Sequence, residues 1–297
     1  MLNSLWHTLF APGFFSSSAV WRALSMSAAV AVVSGMVGVF AVVRGQSFAG
    51  HALGDFGTTG ASGAFLAGLN AVWGFLGVGL IAGAIMDTLG KRAKERDIAT
   101  GVVLSLILGI GALFLYFDTT YRNTTGAPMT ILFGSVFLVD PSLLPFVLCF
   151  DGLAVLLLFI IYRPLLFSSL NVDLARAKGV PARLISILFM SALAMAVEQS
   201  AIVVGALLST ALLIGPAAIA IRFTHRPGKA MLVASMIGIF SSWMGILLAY
   251  DSYNWPPVNR GWPVSFFIAS IILLLYLLSH LRLRMGTRRG KKVLQEG

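Results

Sequence analysis

Apolar runs of about membrane length, separated by short polar turns, dominate the chain from end to end. No Asp, Glu, Lys or Arg falls within Ala23 to Val43, Ile98 to Phe117, Gln199 to Ile221, Ala230 to Tyr250 or Gly261 to Leu281. Each run has roughly the 20 residues a helix needs to cross a hydrocarbon core. Shorter or singly charged runs near 48 to 69, 71 to 86, 142 to 162 and 182 to 197 raise the expected count to eight or nine segments. The pattern predicts an all-α, polytopic transmembrane helical bundle. The expectation is a single membrane domain over 1–297, because the longest polar segment is the tail 282–297, "RLRMGTRRGKKVLQEG". The first apolar run carries Arg22 and is too long for the apolar core of a signal peptide, so no cleaved leader is expected.

Composition sharpens this picture. Of the 297 residues 58% are hydrophobic and 11% charged, with a mean hydropathy of +0.91, far from the roughly 25% charge of soluble domains. The net charge of +10 is distributed as topology and does not form a nucleic-acid surface. Arg44, the loop 90–97, the segment between Arg163 and Arg183, the loop 222–229 and the tail hold 18 of the 21 Lys and Arg. Alternate-loop counting puts all five on one face, which the positive-inside rule makes cytoplasmic, with the C-terminus. Arg122, Arg260 and the interfacial Trp255 and Trp262 fall on the opposite face. Cys149 is the sole cysteine, which excludes an intrachain disulfide and a thiolate cage. It is expected to be a buried, inert thiol. The "NTT" at Asn123 is a formal sequon without a supporting context.

The segment 163–184 interrupts two spans on the basic face and reads as a short amphipathic helix with Leu170, Leu174 and Ala177 on one side. Gly179 stops it and Pro181 restarts the chain. Such a helix either floats at the headgroups or docks into a partner. Pro216 is expected to kink the run 201–223, either structurally or to open a cavity. Thirty-one glycines, recurring from Gly50 to Gly63 and from Gly74 to Gly83, suit close helix packing better than a phosphate loop. "LGK" at 89–91 lacks the rest of a Walker A motif, since position 85 is Ile and position 92 is Arg. Any ATP-driven step therefore requires another subunit.

The stretch "GHALGDFG" carries the candidate chemistry. His51 and Asp55 are four apart, on one face of a helix. A nitrogen with carboxylate oxygens suits zinc, manganese or ferrous iron better than magnesium or calcium. Ionisable groups at membrane depth are costly and tend to serve a pathway. The pair is thus either a transient ion site or a hydrogen bond holding helices together. Asp151 is a second acid in a span, near its outer end, and Glu198 lies at the outer end of a weak span. His7, His225 and His280 are expected to be solvated or interfacial. Neither an HExxH pair nor a Gly-x-Ser-Gly motif is present, which disfavours intramembrane proteolysis. No repeated filter marks a channel.

Five blocks in order carry a resemblance. They are "GMVGVFAVVRGQSFAGHALGDFGTTGASGAF" (35–65), "ERDIATGVVLSLILGIGALFL" (95–115) with Asp97 and Gly101, "ILFGSVFLVDPSLL" (131–144), "NVDLARAKGVP" (171–181) and "VGALLSTALLIGPAAIAIRF" (204–223). In these the chain resembles the membrane permease subunit of the zinc and manganese class of ABC importers. The resemblance implies a permease in the bacterial plasma membrane, built as a homodimer with two ATPase subunits and served by an extracytoplasmic metal-binding protein. It implies no permanently bound cofactor, transported zinc or manganese, and no covalent chemistry by this chain. His51 and Asp55 would hold the ion transiently. A coupling segment about 166–179, with Asp173, Ala175 and Gly179, would meet the ATPase, and Pro216 would shape the conduit. The order Gly50-His51-Ala52-Leu53-Gly54-Asp55 exchanges the two ligand types relative to the usual Gly-Asp-Ala-Leu-x-His, and Thr59-Gly60 replaces the usual Pro-Gly. A permease for a metal chelate or vitamin, and an ATP-independent channel or carrier, are the alternative readings.

Overall fold

Glycine and alanine are the residues that let these helices meet, and they dictate how the bundle closes. A computed structural model describes residues 13–86, 93–121, 131–134, 136–137, 142–255 and 261–293. Among these the regular structure is helical: α1 (Ser18–Val43), α2 (Ser47–Leu66), α3 (Ala71–Met86), α4 (Ala93–Tyr121), α5 (Leu143–Leu170), α6 (Val172–Ala177), α7 (Ala182–Val204), α8 (Ala206–Phe223), α9 (Pro227–Asp251) and α10 (Val264–Val293). Six of the described helices are long and apolar enough to cross a membrane: α1, α4, α5, α7, α9 and α10. The helices α3 and α8 are apolar but shorter. Length and composition thus support six crossings among the described residues, against the eight or nine expected from the sequence.

The helix α1 runs through the bundle, with α8, α9, α7 and α5 packed around it. Side chains are absent where it meets its neighbours most closely. A Cβ at Gly35 would press on the backbone at Ala234 and Ser235 of α9, and one at Gly38 would overlap the Leu213 carbonyl of α8. The main core lies among Phe40, Leu53, Leu158, Phe189, Leu193 and Leu213, and a second cluster joins Met26, Val204, Leu212, Ile246 and Ile268.

Two boundaries differ from the hydropathy reading. The apolar run from Gln199 to Ile221 is divided at Gly205, whose φ of +106° is open to glycine and strained for other residues. Gly134, at φ +72°, abuts it backbone to backbone, so neither position has room for a side chain. Hydropathy is continuous across this break because nothing polar accompanies it. Conversely, α5 continues past Arg163 and Pro164 to Leu170, so only α6 is a separate surface helix. Cys149 is exposed on α5 and not buried, since α5 presents one face outward. His225 and His280 lie at exposed positions, as expected. His7, Arg122, Asn123, "LGK" at 89–91, Arg260 and the end of the tail lie outside the described residues, as does the side chain of Asp97.

Candidate functional site

The helix α2 carries glycine at 50, 54, 57, 60 and 63, and that is what positions the site. Its glycines bring four other helices close: Gly50 faces Leu193 and Leu213, Gly54 faces Val197 and Ser209, Gly60 crosses Gly74 of α3, and Gly63 faces Phe114 of α4. Between the α4 side and the α8 side one strip of α2 is partly open: Phe48 and His51 on it are exposed, and Asp55 beside them is mostly covered. Thr59 donates to the Asp55 carbonyl at 3.2 Å and to the Ile107 carbonyl of α4 at 3.0 Å. Where the related pattern has Pro-Gly, this threonine ties α2 to its neighbour.

His51 Nε2 stands 3.6 Å from Asp55 Oδ2, with the His51 side chain 52% exposed and that of Asp55 17%. This is longer than a good hydrogen bond. It is also a spacing that one ion about 2.1 Å from each donor would bridge, at an angle of roughly 120°. Helical geometry thus joins the two predicted residues on a partly open face. They are two donors only: no cluster of three or more His, Cys, Asp or Glu able to hold a metal occurs among the described residues. Such a pair would leave coordination positions open for further ligands.

A carboxylate that sequence reasoning did not enlist lies behind this strip. Glu198 of α7 is fully buried, and its side chain is wedged against α2 and α3, so that a Cβ at Gly57 or Gly79 would overlap the carboxylate. Neither carboxylate oxygen has a hydrogen-bond partner among the described residues, and Asp55 acts on it electrostatically. An acid inside a span was its only sequence signal. Asp151, also buried and without a hydrogen-bond partner among the described residues, sits on α5 about two turns from its start and is not part of this cluster.

The remaining predicted residues lie elsewhere. In α6 the Asn171 side chain accepts from Leu174 N at 2.9 Å and caps the helix. Asp173 is exposed and pairs with Arg176 at 3.7 Å, Ala175 is buried, and Gly179 ends the turn at φ +79°. Val172, Leu174 and Leu170 are left uncovered at this end of the bundle. Pro216 is inside α8 and buried, next to Gly215, where a Cβ would overlap Ile272 of α10. The turn before α2 is anchored by Arg44, which donates to Gln46, Ser168 and Ser169 and lies over the Phe189 ring at 5.5 Å.

Comparison with known proteins gives these positions a context. Residues 16–279 match the ABC 3 transport family. The manganese transport system membrane protein MntC of Listeria innocua is 28% identical over 243 residues, covering 82% of this chain and 85% of the relative. The manganese import system permease protein ScaB of Streptococcus parasanguinis is 27% identical over 245 residues, covering 82% and 86%. The solved structure of PsaBC from Streptococcus pneumoniae in complex with Fab superposes with a TM-score of 0.74 at 25% identity, covering 94% of this chain and 95% of that one.

Proposed function

This chain belongs to the ABC 3 transport family, and from that premise we propose that it carries manganese or zinc across the membrane along a path lined by His51 and Asp55. It is the multi-pass membrane permease of an ABC importer for such ions, and ATP is hydrolysed by a separate subunit. The observation that carries the assignment of the site is the nitrogen and carboxylate pair on the partly open strip of α2. The manganese transport named for the relatives matches that donor set in hardness.

In this reading a second copy closes over the strip and completes the coordination shell. A binding protein delivers the ion from outside. The ATPase grips α6, where Asp173 and the uncovered Leu174 face away from the bundle while the buried Ala175 transmits the push to α5 and α7. Gly179 sets the angle at which that helix re-enters, and Pro216 shapes the conduit wall. The whole chain, 1–297, acts as one membrane domain in the bacterial plasma membrane with its basic tail inside. Cysteines placed in the loop 90–97 or the tail, in a Cys149→Ser background, should resist impermeant labelling from outside.

Uptake of manganese into proteoliposomes holding the permease and its ATPase tests the central reading. His51→Ala and Asp55→Ala should each abolish uptake while the complex still assembles. The double exchange His51→Asp with Asp55→His should restore part of it. Normal uptake by both alanine variants would reduce the pair to a helix-packing contact.

A further inference from the structure

We infer that Glu198 is the buried counter-charge of the ion held at His51 and Asp55, a positioning residue that raises the site's affinity for a divalent cation without touching it. The inference rests on the reading of that pair as the ion site. Each copy of the chain brings one imidazole and one carboxylate, and so a single negative charge, to a doubly charged ion. Glu198 adds a further carboxylate from the other side of α2, where Gly57 leaves room for it. Its carboxylate is sealed from solvent, lacks any hydrogen-bond partner among the described residues, and is held in place by two glycines on two helices. A side chain at Gly57 or Gly79 would displace it, so the packing here is arranged around the acid.

An isolated carboxyl in an apolar interior is costly, and structures retain one where a cation or a proton compensates it. Burial away from water weighs most on the Glu198 carboxylate, and the charge of Asp55, another carboxylate, adds to it. A cation settling beside Asp55 relieves that burden on Glu198. Because the intervening medium is protein and not water, the attraction reaches the ion across α2 with little screening. The polar core beside Glu198, with Gln199, Ser200 and Ser209 all buried, keeps the acid in a strip of α7 and α8 that packs on α2 and not on lipid.

The isosteric Glu198→Gln variant separates this role from a structural one, since an amide packs like a protonated acid. The assembly of permease and ATPase in nanodiscs is titrated with Mn2+ alone, and free Mn2+ is followed by electron paramagnetic resonance. The amide variant should bind at least about tenfold more weakly, and its uptake should show a raised KM with a smaller change in kcat. Glu198→Asp should bind with intermediate affinity. Wild-type affinity in Glu198→Gln overturns the inference, because a merely protonated, structural acid is mimicked by the amide. Where the amide variant fails to assemble, Glu198→Asp is read in its place, and wild-type affinity there overturns it equally. Loss of binding in His51→Ala and Asp55→Ala alongside unchanged binding in Glu198→Gln leaves the ion site standing and removes only Glu198. Unchanged binding in all three removes both.

Discussion

The helices α7 and α4 have nearly the same mean hydropathy, 1.9 and 2.1, yet 78% of the apolar window of α7 is buried in the bundle and only 17% of that of α4. In a soluble protein such a difference would follow apolarity. In a bilayer the lipid tails are as apolar as leucine, so hydropathy does not decide which helix lies inside. What differs is the residue type. The helix α7 carries alanine at 182, 192, 194, 196 and 201 and the polar Ser186, Glu198, Gln199 and Ser200, all but Ala182 buried. The helix α4 turns Val102, Leu106, Leu113 and Tyr116 outward. Small and polar residues, set among large ones, mark the interior helix α7; the rim helix α4 turns large ones to the outside.

The sharpest break of this contrast comes from filling a seam in the interior. Gly60→Leu places a branched side chain where the Gly60 and Gly74 backbones cross, and it should leave no monodisperse protein after detergent extraction, as judged by size-exclusion chromatography. Next in size, Leu193→Ala removes a fully buried side chain of α7 and should cost about 2–4 kcal/mol, read as a lowered thermal midpoint of the purified complex. A smaller loss is expected at the clamp between α8 and α10. There Arg222 donates to Tyr276 Oη at 2.7 Å and stacks on its ring, and Tyr276→Phe should cost about 1 kcal/mol because the ring contact survives. At the rim, Leu106→Ala in α4 should cost less than about 0.5 kcal/mol and leave the same midpoint nearly unchanged, since lipid fills the space vacated. A large loss at Leu106 with none at Leu193 would reverse the comparison.

The same contrast sets what could be read from the chain before its structure. Apolar runs and basic turns revealed the helical class and nearly every helix, because both reflect the cost of burying charge in lipid. The boundary at Gly205 was hidden, because a helix can end on a backbone angle without any change in polarity. The exposure of Cys149 was misread for a related reason: being inside a span says nothing of which way a residue faces. His51 and Asp55 were legible because four-residue spacing alone puts them together. Glu198 was visible as an acid in a span, but its meeting with Gly57 and Gly79 depends on α7 packing against α2 and α3, which lie far from it along the chain.

The lengths of the helices around the site carry a consequence of their own. With a rise of about 1.5 Å per residue, the 18 residues of α8 extend about 27 Å, whereas the 28 of α5 extend about 42 Å. A hydrocarbon core is about 30 Å thick, so the rod at the rim overshoots it and α8, beside α2, falls short. A helix this short is met by local thinning of the bilayer or by polar ends drawn toward it. The membrane an ion meets there is thinner than the one the lipids define, and the voltage across the bilayer falls more steeply over that shorter stretch.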